Sequence, residues 1–397
     1  MMSRSFCLYT IIALLCAGCA SVRQNVSSFM GGEDNAAPPT PLEDIEQRIA
    51  VTKLWEKSVG DGSDKQYLKL VPVYAQNRIF AADSEGEVEA IDAQTGHVIW
   101  KTDADTRITG GPGVGENLVI TGTGEAEVIT MAADSGKILW HSKVSSEVLS
   151  APQYADNIIV VRTIDGKIFG LDTQEGKRLW TYEQSVPALT LRGTSSPVIA
   201  GNYIIAGFDE GRLAVLELQT GKLVWDARIA VATGRTELER MVDIDAEPLV
   251  INDVIYVATF QGRIAAVTLE TGRILWTRKI SSFAGLCADK DAIYVTDDDS
   301  TMWALDRVSG NSLWKQDKLK ARALTAPAIA DNLIVVGDME GYLHWFDKTT
   351  GEIVARKQIS KHKIISAPIV ANNIVYAYAS DGILAAYTTQ QSQPDSK

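Results

Sequence analysis

The chain has 397 residues, 46% of them hydrophobic and 22% charged, with a mean hydropathy near zero. That is the profile of a globular protein with enough apolar content for a sizeable core. Fifty acidic residues against 38 basic ones give a formal net charge of -12, which excludes the basic footprint of a nucleic-acid-binding protein.

The first nineteen residues stand apart from the rest. Arg4 supplies a positive start, Phe6 to Leu15 an apolar stretch, and Cys16-Ala17-Gly18-Cys19 a small-residue cleavage site. This resembles a bacterial lipoprotein signal. The resemblance implies removal of residues 1–18, acylation of Cys19 by more than one chain, as stable anchoring takes, and lodging at the outer membrane, since Ala20 replaces the aspartate that favours inner-membrane retention. An ordinary secretory signal with an incidental cysteine is the alternative. Residues 19–48 then read as an acylated N-terminus followed by a flexible tether, being polar, carrying Gly31-Gly32 and Pro38-Pro39-Thr40-Pro41, and showing no sustained period.

From residue 49 to 388 the sequence repeats. A Thr/Ser/Glu-Gly turn recurs about every 40 residues, the length of one propeller blade. Six of these turns are followed four residues later by tryptophan: Gly96/Trp100, Gly136/Trp140, Gly176/Trp180, Gly221/Trp225, Gly272/Trp276 and Gly310/Trp314. Gly351 keeps the turn but has Ala355 in the tryptophan slot. Within each repeat, Asp-Gly and Asn turns separate β-branched runs, as in Asp156-Asn157 and Asp165-Gly166, which predicts four short strands joined by hairpins. Pro72, Pro112, Pro152, Pro197, Pro248, Pro327 and Pro368 open the first strand of their repeats, with Ala284-Gly285 in the remaining one. Proline cannot donate to a ladder, so it belongs at a strand start or an edge, here the innermost strand beside a central channel. The last repeat lacks a fourth strand, and Val51–Val59, with Trp55, is a fourth strand lacking its first three. Joining them predicts an all-β, eight-bladed β-propeller of four-stranded antiparallel blades, its ring closed by the N-terminal strand and its tail, 389–397, disordered.

Few residues invite chemistry. The tryptophans fall on outermost strands and read as packing between blades. Asp297-Asp298-Asp299 could ligate a hard cation, but the triplet falls at the turn that holds Asp83, Asp165, Asp209, Asp338 and Asp381 in other repeats, so no metal site is assigned. Cys287 reads as a small buried hydrophobe. His97, His141, His344 and His362 lack metal-ligand spacing, and no nucleophile elbow or other catalytic signature occurs. No catalytic residue and no cofactor is expected.

The repeat is broken by insertion in two places. Successive tryptophans are 40, 40, 45, 51 and 38 residues apart, so extra residues lie before and after blade four. Insertions in repeat proteins map to loops that often form the binding face. The first runs from Val186 to Gly193 and offers Leu189, Leu191 and Arg192. The second runs from Ala232 to Pro248, with Thr236 as the cap of a possible short helix and then Asp243 and Asp245. Apolar anchors beside an arginine predict a protein-binding patch. The alternative is that Asp243 and Asp245 serve only as caps or ion-pair partners inside the loop cluster.

The repeat form, a proline, then Asp-Gly, Leu-Asp and Thr-Gly-x-x-x-Trp, resembles the pyrroloquinoline-quinone-type propeller repeat. With the lipoprotein signal, eight blades and the segments LTLRGTSSP and ATGRTELERMVDIDAEP, the mature chain resembles the BamB family, propeller lipoproteins of the outer-membrane β-barrel assembly machinery. The resemblance implies a non-catalytic scaffold on the periplasmic face that binds the periplasmic domains of BamA through Leu189, Leu191, Arg192, Asp243 and Asp245. It would work beside the other subunits of the machinery and assist nascent outer-membrane proteins, either by pairing a blade edge with an unfolded strand or by orienting BamA alone. A quinone-dependent periplasmic dehydrogenase is the competing reading, although the chain lacks the adjacent cysteine pair such enzymes often use.

Overall fold

The computed structural model describes residues 37–63, 68–187, 195–231, 235–236 and 241–391. Thr40 to Lys397 form one compact unit. It is built of eight four-stranded antiparallel sheets, and among the described residues the only helical element is the 3-10 turn Asp209–Gly211. Blades one to seven follow sequence order and span Val73–Asp103, Ile108–Lys143, Gln153–Glu183, Val198–Arg228, Leu249–Arg278, Gly285–Gln316 and Ala328–Gln358. Blade eight takes its three inner strands from Ile369–Gln391 and its outer strand from Ile49–Ser58, with Ile49 opposite Gln391 and Ser58 opposite Ile383. The eight-bladed ring therefore closes through the N-terminal strand, as the truncated first and last repeats predict.

The first strands of neighbouring blades face each other around the centre, with Val73–Ala75 meeting both Ile108–Gly115 and Ile369–Ala371. Six of the seven predicted prolines stand just before such a strand, and Pro112 lies within Ile108–Gly115 where the register shifts between Gly110 and Gly113, so none of their missing N–H groups breaks a ladder. Second and third strands are covered on both faces by adjacent blades. Ile158–Arg162 is buried throughout, as are the central residues of Lys167–Asp172, and such strands read as continuous rather than alternating apolar runs.

The Gly–Trp repeat has a spatial meaning that its linear spacing conceals. Each tryptophan packs beneath the glycine turn of the following blade, not its own: Trp55 under Gly96, Trp100 under Gly136, and so on to Trp314 under Gly351. A Cβ at these glycines would overlap the indole, and the turn needs φ of +74° at Gly96 and +73° at Gly351, a region costly for other residues. All of these indoles except Trp180 also donate their N–H across the seam, as from Trp55 to the Ala93 carbonyl at 3.0 Å, from Trp100 to Ala133 at 2.9 Å and from Trp314 to Lys348 at 3.0 Å.

This seam explains Ala355. Blade eight has no hairpin between its third and fourth strands, because the fourth arrives from the other end of the chain. A tryptophan in blade seven would have no glycine turn to fill. The bulk moves to the third strand instead: Trp345 lies opposite Ala355, whereas in most other blades an alanine or glycine is on the third strand, as in Ala90 opposite Trp100, Gly170 opposite Trp180 and Ala304 opposite Trp314. Trp345 is fully buried and meets Tyr387 of blade eight edge-on, with ring centroids 6.4 Å apart.

Two boundaries differ from the sequence reading. Residues 40–48, placed in the tether, lie along blade seven: Thr40 donates its amide to the Lys320 carbonyl at 3.0 Å, Leu42 packs into the core between blades six and seven, and Arg48 donates to the Val354 carbonyl at 2.9 Å. Single anchors spaced along an extended segment create no sequence period. The last strand also continues to Gln391, three residues beyond 388, because Ile49 and Ala50 supply its ladder partners.

Candidate functional site: the connector face beside blade four

In an antiparallel blade the turn between strands two and three and the connector leaving strand four share one end. One face of the ring therefore collects all such turns and connectors, and both insertions lie on it. The ordinary construction of this face is visible in blades one, six and seven. There an aspartate opens the turn and its carboxylate accepts the amide two residues on: Asp83 from Glu85 at 3.1 Å, Asp297 from Asp299 at 3.1 Å and Asp338 from Glu340 at 2.9 Å. These are Asx turns, in which the side chain replaces a backbone acceptor. The Asp297–Asp299 triplet is spent this way, since Asp297 also accepts the Trp303 indole and Asp298 the Ser281 hydroxyl.

Blade four departs from this plan. Strand pairing places Gly207 opposite Leu213, just as Gly337 lies opposite Leu343, so the turn aspartate's slot is held by Phe208. Asp209 lies in this turn, as the sequence reading places it, one residue after the slot. Phe208 has no acceptor to offer, and the Glu210 amide is taken instead by Asp243, reaching from the connector to blade five at 3.2 Å. Asp243 is 2% exposed, and its own carbonyl accepts the Phe260 amide of blade five at 2.8 Å. It thus ties the turns of blades four and five to the second insertion.

Around it lies a cluster of charges. Arg162, at the end of the second strand of blade three, is 3% exposed and donates through Nη1 to the Ser195 carbonyl at 3.1 Å and hydroxyl at 3.0 Å. Its guanidinium sits 4.8 Å from the Phe208 ring centroid, a cation–π contact. Burial lowers the Arg162 pKa, while Asp209, Asp245 and Asp243 work to hold its charge. The carboxyls respond in kind. Burial raises Asp209 to about 6 and Asp245 to about 7, against the pull of Arg162 on the first and of Lys69 and Arg162 on the second. Lys69, which donates to the Phe283 carbonyl at 3.1 Å, is itself lowered by burial. Oδ2 of Asp245 and Nε of Arg162 are buried without a hydrogen-bond partner. Charges held in this half-compensated state cluster at functional sites more often than at structural ones.

A family model described as outer membrane protein assembly factor BamB matches residues 84–316 and 304–393. The outer membrane protein assembly factor BamB of Pseudomonas aeruginosa is 42% identical over 377 residues, covering 95% of this chain and 97% of that protein. The chain belongs to the BamB family. The crystal structure of BamB from Moraxella catarrhalis superimposes with a TM-score of 0.78 at 28% identity, over 85% of this chain and all of that one. A quinohemoprotein alcohol dehydrogenase from Comamonas testosteroni gives a TM-score of 0.67 at 13% identity, over 87% and 78% of the two chains, a likeness of fold alone. BamB membership displaces the dehydrogenase reading.

Of the residues singled out from the sequence for this BamB chain, Asp243 and Asp245 come together in the described end of the second insertion, the first as a buried cap and the second partly buried. Leu189, Leu191, Arg192 and Cys19 lie outside the described residues, as does most of the short helix expected after Thr236. Val186 and Val231, at the described entrances to the two insertions, are exposed apolar side chains. Cys287 is partly exposed, with burial pushing its thiol pKa well up. Sequence reasoning missed Arg162 and Lys69, which only the packing of the blades brings near the insertions, and Ser195, which follows the first insertion but shows its role only as the partner of Arg162.

Proposed function

We propose that the protein is a non-catalytic scaffold that docks on the periplasmic domains of BamA through the two insertions flanking blade four and thereby assists assembly of outer-membrane β-barrels. Leu189, Leu191 and Arg192 are the contact residues of the first insertion. Asp245 faces the same cluster, and Asp243 holds the second insertion in place. Acylated Cys19 tethers the ring to the outer membrane on its periplasmic side, next to the other subunits of the machinery. The family supports this reading, and so does the single observation that carries it: in blade four the turn between strands two and three is capped from outside, by the buried carboxylate of Asp243 from the second insertion.

The test is a titration of the acylated protein with the periplasmic domains of BamA. Arg192→Glu is expected to weaken binding by roughly 2–4 kcal/mol, the range of an interface hot spot, with an unchanged melting transition. Wild-type affinity in this variant would move the docking site elsewhere.

A further inference from the structure

The position Arg162 occupies is, in most blades, one of the smallest in the ring. It is the residue of strand two that pairs with the first buried apolar residue of strand three: Ala82 with Val88, Gly122 with Val128, Gly207 with Leu213, Ala258 with Ile264 and Gly337 with Leu343. The reason for the small residue is the next connector, which drops an apolar side chain onto it. A Cβ at Gly122 would overlap Val148, one at Gly207 would overlap Ile244, and one at Gly337 would overlap Ile364. Each of these covering residues stands four before a repeat proline, Pro152, Pro248 and Pro368 in turn.

Blade three departs from this pattern. Arg162 lies opposite Ile168 in the same register, and the residue four before Pro197 in the sequence is Gly193, which has no apolar side chain to offer. A long cationic side chain therefore stands in the slot that those blades keep small. That cation reaches Ser195, the first described residue after the first insertion, by two hydrogen bonds, and its charge is balanced by Asp209, Asp243 and Asp245, of which the latter two close the second insertion.

We propose that Arg162 is a positioning residue for the docking face, a buried strut that fixes the end of the first insertion through Ser195 and, by its charge, draws the aspartates ending the second insertion toward the same point. It touches no partner itself. Its effect on binding is to hold two loops from successive connectors in one arrangement, so that the association does not have to order them, a cost that rises with each side chain immobilised. The inference rests on the docking reading above, and its consequence for the loops does not.

The experiment uses the full acylated protein and two variants, Arg162→Met, which keeps much of the volume without the charge, and Arg162→Lys, which keeps the charge without the two-pronged geometry. Arg192→Glu is carried alongside. Affinity for the periplasmic domains of BamA and amide hydrogen exchange are read on the same samples. Arg162→Met is expected to weaken binding about tenfold, as for loss of a hydrogen bond to a charged group. It should also speed exchange at Ser195–Ser196 and Met241–Asp245 while blades one and six stay protected. Arg162→Lys should recover part of both effects, and it carries the test if the methionine variant does not fold. Exchange at those segments equal to wild type in the folded variants overturns the proposal, as does unchanged affinity beside a weakened Arg192→Glu. If Arg192→Glu binds as wild type, the docking reading fails separately and the exchange result alone decides the role of Arg162.

Discussion

Two clusters of buried charge occupy the same face of this ring, and they are solved in opposite ways. In blade seven, Asp338 accepts Arg322 Nε and His344 Nε2 at 2.8 and 2.9 Å, while Arg356 Nε donates to His344 Nδ1 at 3.3 Å. Arg322 also pairs with Glu340 and gives a third bond, 2.9 Å, to the Thr40 carbonyl. Burial works against the charge of Asp338, yet His344, the Tyr342 amide and Arg322 outweigh it and lower its pKa. Beneath the insertions of blade four, burial wins: Asp209 and Asp245 are raised, and polar atoms of Asp245 and Arg162 lack partners. A satisfied buried network rigidifies what it touches, here the segment 40–48, whereas an unsatisfied one is retained at the expense of stability. In blade seven the network is a clamp.

The largest break in this comparison comes from the clamp. Arg322→Met leaves Asp338 buried beside a neutral neighbour, and removing one partner of a buried pair typically costs about 3–5 kcal/mol. Chemical denaturation should show a loss of that size, and exchange at residues 40–48 should rise, because Arg322 is the side chain that holds the Thr40 carbonyl. A small loss with residues 40–48 still protected would mean that Leu42 and the Arg48 amide, rather than the charge network, carry the attachment.

Asp243→Ala is the corresponding cut in the other cluster. It removes from the Glu210 amide its hydrogen bond to a charged group, a loss of about 1.5–3 kcal/mol. The outcome should be moderate destabilisation together with faster exchange in both Asp209–Gly211 and Phe260, the two turns that Asp243 joins. Faster exchange in one turn alone would show that the two are not coupled through this residue.

These two clusters also mark how far the sequence can be read. Glycine, proline and tryptophan at fixed intervals give the blades, their count and their closure, because each answers a local demand that recurs in seven of the eight blades. Insertions are visible as changes of interval. What a linear reading cannot supply is which blade a residue serves: the tryptophan four residues after a glycine packs on the glycine of the next blade, and Asp243 caps a turn in the preceding one. Arg162 was legible in principle, as the one cation in a slot otherwise held by Ala82, Gly122, Gly207, Ala258, Thr296, Gly337 and Tyr378, but only once strand pairing defines that slot. Asp209 lies in the turn that the sequence gives it, but the capping slot of that turn belongs to Phe208, which only strand pairing reveals.

The smallest effect sharpens the comparison most, because the two clusters drive stability in opposite directions with pH. Asp338, whose folded pKa is depressed, contributes stability above the ordinary carboxylate pKa that is lost as pH falls through its folded value. His344, also depressed, adds to that trend, because the unfolded chain takes up its proton first as pH falls through about 6.5. Asp245 is the opposite case. With a folded pKa near 7 against about 3.9 unfolded, its contribution is full below the unfolded value and is lost as pH rises toward 7 and beyond. Asp245→Asn removes that loss, while Asp209, Asp243 and Glu247 remain to balance Arg162 and Lys69. The variant should match wild type near pH 4 and exceed it at pH 8 by about 1 kcal/mol, well under the full shift because the side chain is partly solvated. Denaturation curves at the two pH values decide it. A variant less stable than wild type at pH 8 would show that the Asp245 carboxylate is needed as a counter-charge, and that the cluster under blade four is as structural as the one in blade seven.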